Sequence, residues 1–195
     1  MEYPLILRFR LWTFSPQIHV TDAAGQSVCF VHQKLFRLRE AVTVYRDPSK
    51  SKVLCNIQAD RIIDWSASYH FVDAEGEMFG AVRRRGMRSL WKAHYEVLDE
   101  HNTHISTITE ENPMAKVFDS LFSEVPVLGL FSGMLFHPRY VLTSVDGQPR
   151  MRVTKQRAFL EGRYLLEKLV EYDPVAELRA LMAFLMMTLL ERRRG

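Results

Sequence analysis

Short runs in which apolar and polar residues alternate recur along the whole chain, and turn residues separate them. Alternation with period two sends successive side chains to opposite faces of a strand. The pattern predicts strands at Leu5–Thr13, Gln17–Thr21, Val28–His32, Ala41–Arg46, Val53–Gln58 and Tyr69–Val72. It predicts six more at Met78–Val82, Tyr95–Leu98, His104–Thr109, Tyr140–Val145, Arg150–Thr154 and Arg163–Val170. Asp22-Ala23-Ala24-Gly25, Asp73-Ala74-Glu75-Gly76 and Asp146-Gly147 read as hairpin tips, because Asp bonds its own backbone and Gly supplies φ > 0. Asp99-Glu100-His101-Asn102 reads as a fourth tip, with Asn in the glycine position. About twelve short strands joined by such turns indicate an all-β sandwich or barrel.

Two segments depart from this pattern. Asn112-Pro113 opens a stretch with apolar residues at Met114, Val117, Phe118, Leu121 and Phe122, which predicts a short amphipathic helix over 113–123. The apolar run Val125–Phe136 then reads as a buried connection. Asp173-Pro174 caps the second segment, predicted as a helix over 174–191. Its Ala180–Leu190 stretch is apolar on every side, so it must be enclosed by protein or by lipid. At ~1.5 Å per residue the stretch spans about 17 Å. A bilayer core is about 30 Å thick. Enclosure by protein follows, and an all-β wall that surrounds a helix is a closed barrel.

An internal echo accompanies the strands. Phe14–Thr21 resembles Phe136–Thr143, with Gly25-Gln26 and Gly147-Gln148 at the same offset, and Asp22–Gly25 resembles Asp73–Gly76. One hairpin unit reused around a sheet explains both. The predicted organisation is one domain over 1–195, with pseudo-repeat halves of about 5–111 and 125–172 and a central helix.

Composition changes little. Apolar residues at 47% and charged residues at 25% are those of a folded globular protein. A net charge of +3 is too small to imply nucleic acid, and none is expected. Cys29 and Cys55 sit in strand-like runs, as buried thiols, which fits a reducing cytoplasm. The first ten residues lack the basic and apolar blocks of a secretory signal, and no transmembrane span is expected.

The run Phe30–Tyr45 (FVHQKLFRLREAVTVY), the hairpin Tyr69–Gly80 (YHFVDAEGEMFG) and the terminal helix together resemble the tubby-like fold superfamily. That group embraces tubby domains, phospholipid scramblases and LURP-one-related proteins. The resemblance is one of pattern and order over nearly the whole chain. It implies a twelve-stranded barrel with the C-terminal helix through its middle. Tubby domains bind phosphoinositides through a lysine–arginine pair. This sequence shows no residue-by-residue match to that site, and none is carried over. Glu171-Tyr172-Asp173 lacks the spaced oxygen ligands of a calcium segment.

Candidate chemistry is sparse. There is no nucleophile elbow, phosphate loop, zinc-protease motif or dinucleotide fingerprint. His101 and His104 with Asp99 and Glu100 lie in a turn, where exposed polar residues are ordinary, so no metal and no cofactor is expected. The sharpest feature is basic: Arg83, Arg84, Arg85 and Arg88, with Lys92 beyond. Arg150 and Arg152 share one face of a strand, as Arg8 and Arg10 do. Guanidinium groups bind phosphate oxygens in pairs. The expectation is a non-enzymatic binding or scaffold domain, cytoplasmic and peripheral at membranes, holding an acidic phospholipid or an acidic protein partner. The alternative is a scramblase-like protein with its C-terminal helix in the membrane.

Overall fold

A computed structural model describes residues 1–10, 17–32, 42–60, 67–84, 94–111, 138–156 and 161–192. Its strands are β1 (Leu5–Arg10), β2 (Gln17–Thr21), β3 (Ser27–His32), β4 (Val42–Tyr45), β5 (Val53–Ala59) and β6 (Ser68–Asp73). They continue as β7 (Met78–Arg84), β8 (His94–Leu98), β9 (His104–Glu110), β10 (Arg139–Ser144), β11 (Pro149–Gln156) and β12 (Glu161–Lys168). The helix α1 spans Pro174–Arg192. The strands pair in chain order, all antiparallel, and β1 closes on β12. The fold is therefore a closed twelve-stranded barrel with one described helix. The helix expected over 113–123 and the connection Val125–Phe136 lie outside the described residues.

Alternation dictates the wall. In β1, Leu5, Leu7 and Phe9 are buried while Arg8 and Arg10 are exposed. The same rule turns Met151 and Val153 inward from β11 and Tyr164 and Leu166 inward from β12. The helix runs through this lining, and Ala180–Met187 are all buried. Asp173 caps it by accepting from the Val175 and Ala176 N–H groups at 3.0 Å. The interior is thus occupied by α1, whose Ala180–Met187 pack in one core with the inward residues of the wall.

One arginine enters with the helix. Arg179 donates from Nε to the Phe79 carbonyl at 2.6 Å and from Nη2 to Glu100 Oε2 at 2.5 Å. Its side chain lies where β7 has Gly80; a Cβ there would meet Arg179 Nε at 2.7 Å. Cys29 and Cys55 are free thiols on the inner face, and Cys55 donates to Met182 Sδ at 3.3 Å. Burial pushes the Cys55 thiol up to about 12, so it stays protonated.

Strand direction sorts the connections. The short turns β2–β3, β4–β5, β6–β7, β8–β9 and β10–β11 all lie at the end where the helix enters. Their hydrogen bonds repeat: Asp22 N–H donates to the Gln26 carbonyl and Gly25 N–H to the Asp22 carbonyl, and equivalent pairs form at Asp73, Asp99 and Ser144. The fourth residue of each tip needs positive φ, met by glycine at 25, 76 and 147 and by Asn102 at 61°. The two echoes seen in sequence thus fall on equivalent tips. A fifth tip, Asp47-Pro48-Ser49-Lys50, has Lys50 at φ 60° in the glycine position.

Candidate anion-binding surface

Among the described residues, the arginines of the basic run and the Arg150/Arg152 pair fall on two separate strands, β7 and β11. Arg83, on the outer face of β7, donates to Glu96 Oε2 from Nη2 at 2.6 Å and from Nε at 3.2 Å. The Glu96 side chain is only 4% exposed, so this guanidinium neutralises a buried carboxylate. Arg84 shares the inward parity of Val82 and lies 5.8 Å from the centroid of the Tyr95 ring. Arg85, Arg88 and Lys92 lie outside the described residues. On β11, Arg150 donates to Ser144 Oγ at 3.1 Å and to Asp146 Oδ2 at 3.2 Å. Arg152 donates to Glu111 Oε1 at 3.1 and 3.3 Å. Three strands separate β7 from β11, so the structure does not bring these two groups together.

Barrel closure builds a different cluster. Arg8 of β1 stands directly opposite Arg163 of β12 and, on its other side, opposite His19 of β2. Arg10 follows two residues later on the same outward face. Cβ atoms of directly paired residues lie about 5 Å apart, and like charges so placed repel. Arg8, Arg10 and Arg163 are all exposed. Among the described residues none of the three has a carboxylate within ion-pair distance. Glu161 stands in register with Arg10; its side chain is outside the described residues. The guanidiniums here are spread over two neighbouring strands with donors free for an anion.

His19 belongs to this cluster. Ser27 donates its hydroxyl to the Arg46 carbonyl at 3.3 Å, so its oxygen accepts from His19 Nε2 at 3.2 Å. That leaves Nδ1 as the proton-binding nitrogen. The Phe30 ring meets the imidazole edge-on at 6.2 Å. Partial burial and the positive charges of Arg8 and Arg10 hold the imidazole below its ordinary value.

The turn end carries the opposite charge. Glu2, Asp22, Asp47, Asp73, Glu75, Glu77, Asp99, Glu100, Asp146, Glu171, Asp173 and Glu177 lie in or beside its connections, against Arg46, Lys50, Lys52, Arg150, Lys168 and Arg179. Backbone N–H groups hold several of these carboxylates. Asp99 Oδ1 accepts from Thr103 at 2.8 Å and from His101 at 2.9 Å, which keeps its carboxyl below the usual range. The acidic tips are thus accounted for by turn chemistry. The basic cluster sits towards the other end of the wall. Among the described residues, no group of three or more His, Cys, Asp or Glu is placed to hold a metal ion. No described helix is long and apolar enough to cross a membrane, which says nothing of the strands.

No family model, no curated protein and no solved structure matches the chain.

Sequence reasoning paired Arg8 with Arg10 on one strand face but did not reach Arg163. The signal that could have found it is closure itself. Once a barrel is inferred, the first and last strands must pair, and their outward arginines are Arg8, Arg10 and Arg163.

Proposed function

We propose that this chain is a non-enzymatic binding domain of tubby-like character that holds anionic phospholipid headgroups on the outer face of β2, β1 and β12. The observation that carries this is the Arg8–Arg163 cross-strand pair: two exposed like charges, set opposite each other, with no carboxylate between them among the described residues. Such a pair costs stability in the free protein. A headgroup phosphate between the two guanidiniums converts that repulsion into two charge-assisted contacts. A juxtamembrane basic cluster gains about 1 kcal/mol per arginine near an acidic surface. The filled interior supports a site on the outside of the wall. It also weighs against a scramblase-like inserted helix, because membrane insertion of α1 would strip Ala180–Met187 from the core.

Co-sedimentation with vesicles tests the proposal. Phosphatidylglycerol vesicles should retain the protein and phosphatidylcholine vesicles should not, and salt should weaken the binding. The double change Arg8→Gln and Arg163→Gln should abolish retention, whereas Arg150→Gln with Arg152→Gln should not. Equal retention by neutral and acidic vesicles would overturn the proposal.

A further inference from the structure

Resting on that reading, we propose that headgroup binding on this face is coupled to proton uptake by His19, so that the surface grips acidic lipid more tightly as pH falls. The coupling follows from placement. His19 faces Arg8 across β1 and has Arg10 diagonal to it on the same strand. From β3 it meets the Ser27 hydroxyl and the Phe30 ring, and His32, opposite Gln17, stands diagonal to it on the same face. Its neighbours on its own face of β2 are Gln17 and Thr21, both uncharged, and Arg163 lies one strand beyond Arg8. The nearest carboxylate in register is Glu161, opposite Arg10 rather than opposite His19.

The charges that face the imidazole from β1, Arg8 and Arg10, are therefore both positive, and each resists a proton on Nδ1. An anion seated on Arg8 and Arg163 cancels that resistance and adds attraction of its own. The proton then binds more readily when the anion is present. Linkage requires the converse: the anion binds more tightly when the proton is present, and by the same factor. No bond is made or broken beyond N–H formation at Nδ1, with the proton drawn from solvent.

Phosphatidylglycerol vesicles suit the test, because a phosphodiester keeps one charge over the range in which histidine titrates. Affinity of the full chain should rise about 5-fold between about pH 7.5 and about pH 5.5, a coupling of ordinary size for two linked sites. His19→Gln should lose that rise, read as the ratio of its own affinities at the two pH values. NMR titration of the His19 ring gives a second readout: sulfate, which does not titrate here, should raise its pKa in the wild type. That rise should vanish in Arg8→Gln with Arg163→Gln. A pH dependence unchanged in His19→Gln, or a His19 titration indifferent to sulfate, would overturn the coupling while leaving headgroup binding intact. Absence of vesicle binding at every pH would instead overturn the headgroup reading, and a sulfate-insensitive His19 would then remove the coupling as well.

Discussion

The barrel uses arginine in two opposite ways. Arg179 is carried inside by the helix, and the wall is cut to receive it: a carbonyl accepts its Nε, a carboxylate accepts its Nη2, and Gly80 leaves room for its stem. Arg8 and Arg163 lie outside, face each other and have no carboxylate partner among the described residues. Buried cations have to be paired to be tolerated. Exposed ones do not, so an exposed like-charge pair signals a requirement other than folding. Arg83 and Arg152 fall between these cases, one matched to Glu96 on the wall and the other to Glu111 just beyond β9. Partnership, more than the number of arginines in a run, separates the arginines tied into the fold from those with no carboxylate partner among the described residues.

Substitutions can break this contrast at each level. Gly80→Ala should have the largest effect, because the new methyl group and the Arg179 stem cannot share one place. A loss of about 2 kcal/mol in urea unfolding is expected, typical of overpacking. Arg83→Ala should cost about 1 kcal/mol, reduced from the full value of a charged hydrogen bond by the exposure of the guanidinium. Arg8→Gln should act in the other direction and stabilise by about 0.5 kcal/mol through relief of the cross-strand repulsion. That gain should grow on the acid side. The folded protein holds His19 below its unfolded value of about 6.5, so the unfolded chain takes up the proton first. The associated stability is complete above about pH 6.5 and is lost as pH falls through the folded value. Thermal melts of wild type and Arg8→Gln at several pH values measure both effects. Arg152→Ala should change stability least, within about 0.5 kcal/mol, as an exposed ion pair predicts. A destabilised Arg8→Gln would make the outer pair structural and erase the distinction.

The wall and the helix were legible in the sequence because each has a period that elementary sterics enforces. Alternation fixed the inward set from Leu5 to Leu166, and all-round apolarity with an eleven-residue uncharged span fixed Ala180–Leu190 as enclosed. The tip at Asp47 was harder to see, since Pro48-Ser49-Lys50 offers no glycine and a lysine takes the strained position. The surface was less legible for a different reason. Whether Arg83 has a partner depends on the β7–β8 register, which sets it opposite Glu96. Whether Arg152 has one depends on Glu111 reaching it from beyond β9. A charge run along the sequence carries neither fact. The cluster of Arg8, Arg163 and His19 joins the first two strands to the last, so only the closed ring displays it.

The order of the elements has a consequence for how such a molecule is made. All twelve strands precede the helix in the chain, yet the helix supplies the centre against which their inner faces pack. Synthesis runs from the N-terminus, so the ribosome delivers a wall before its filling. Until β12 emerges, β1 has no strand to close against, and until α1 follows it, Leu7, Phe71 and Met151 have no central partner. The nascent chain must therefore keep its strands from pairing with other chains, and the ring can close only after its last strand has emerged.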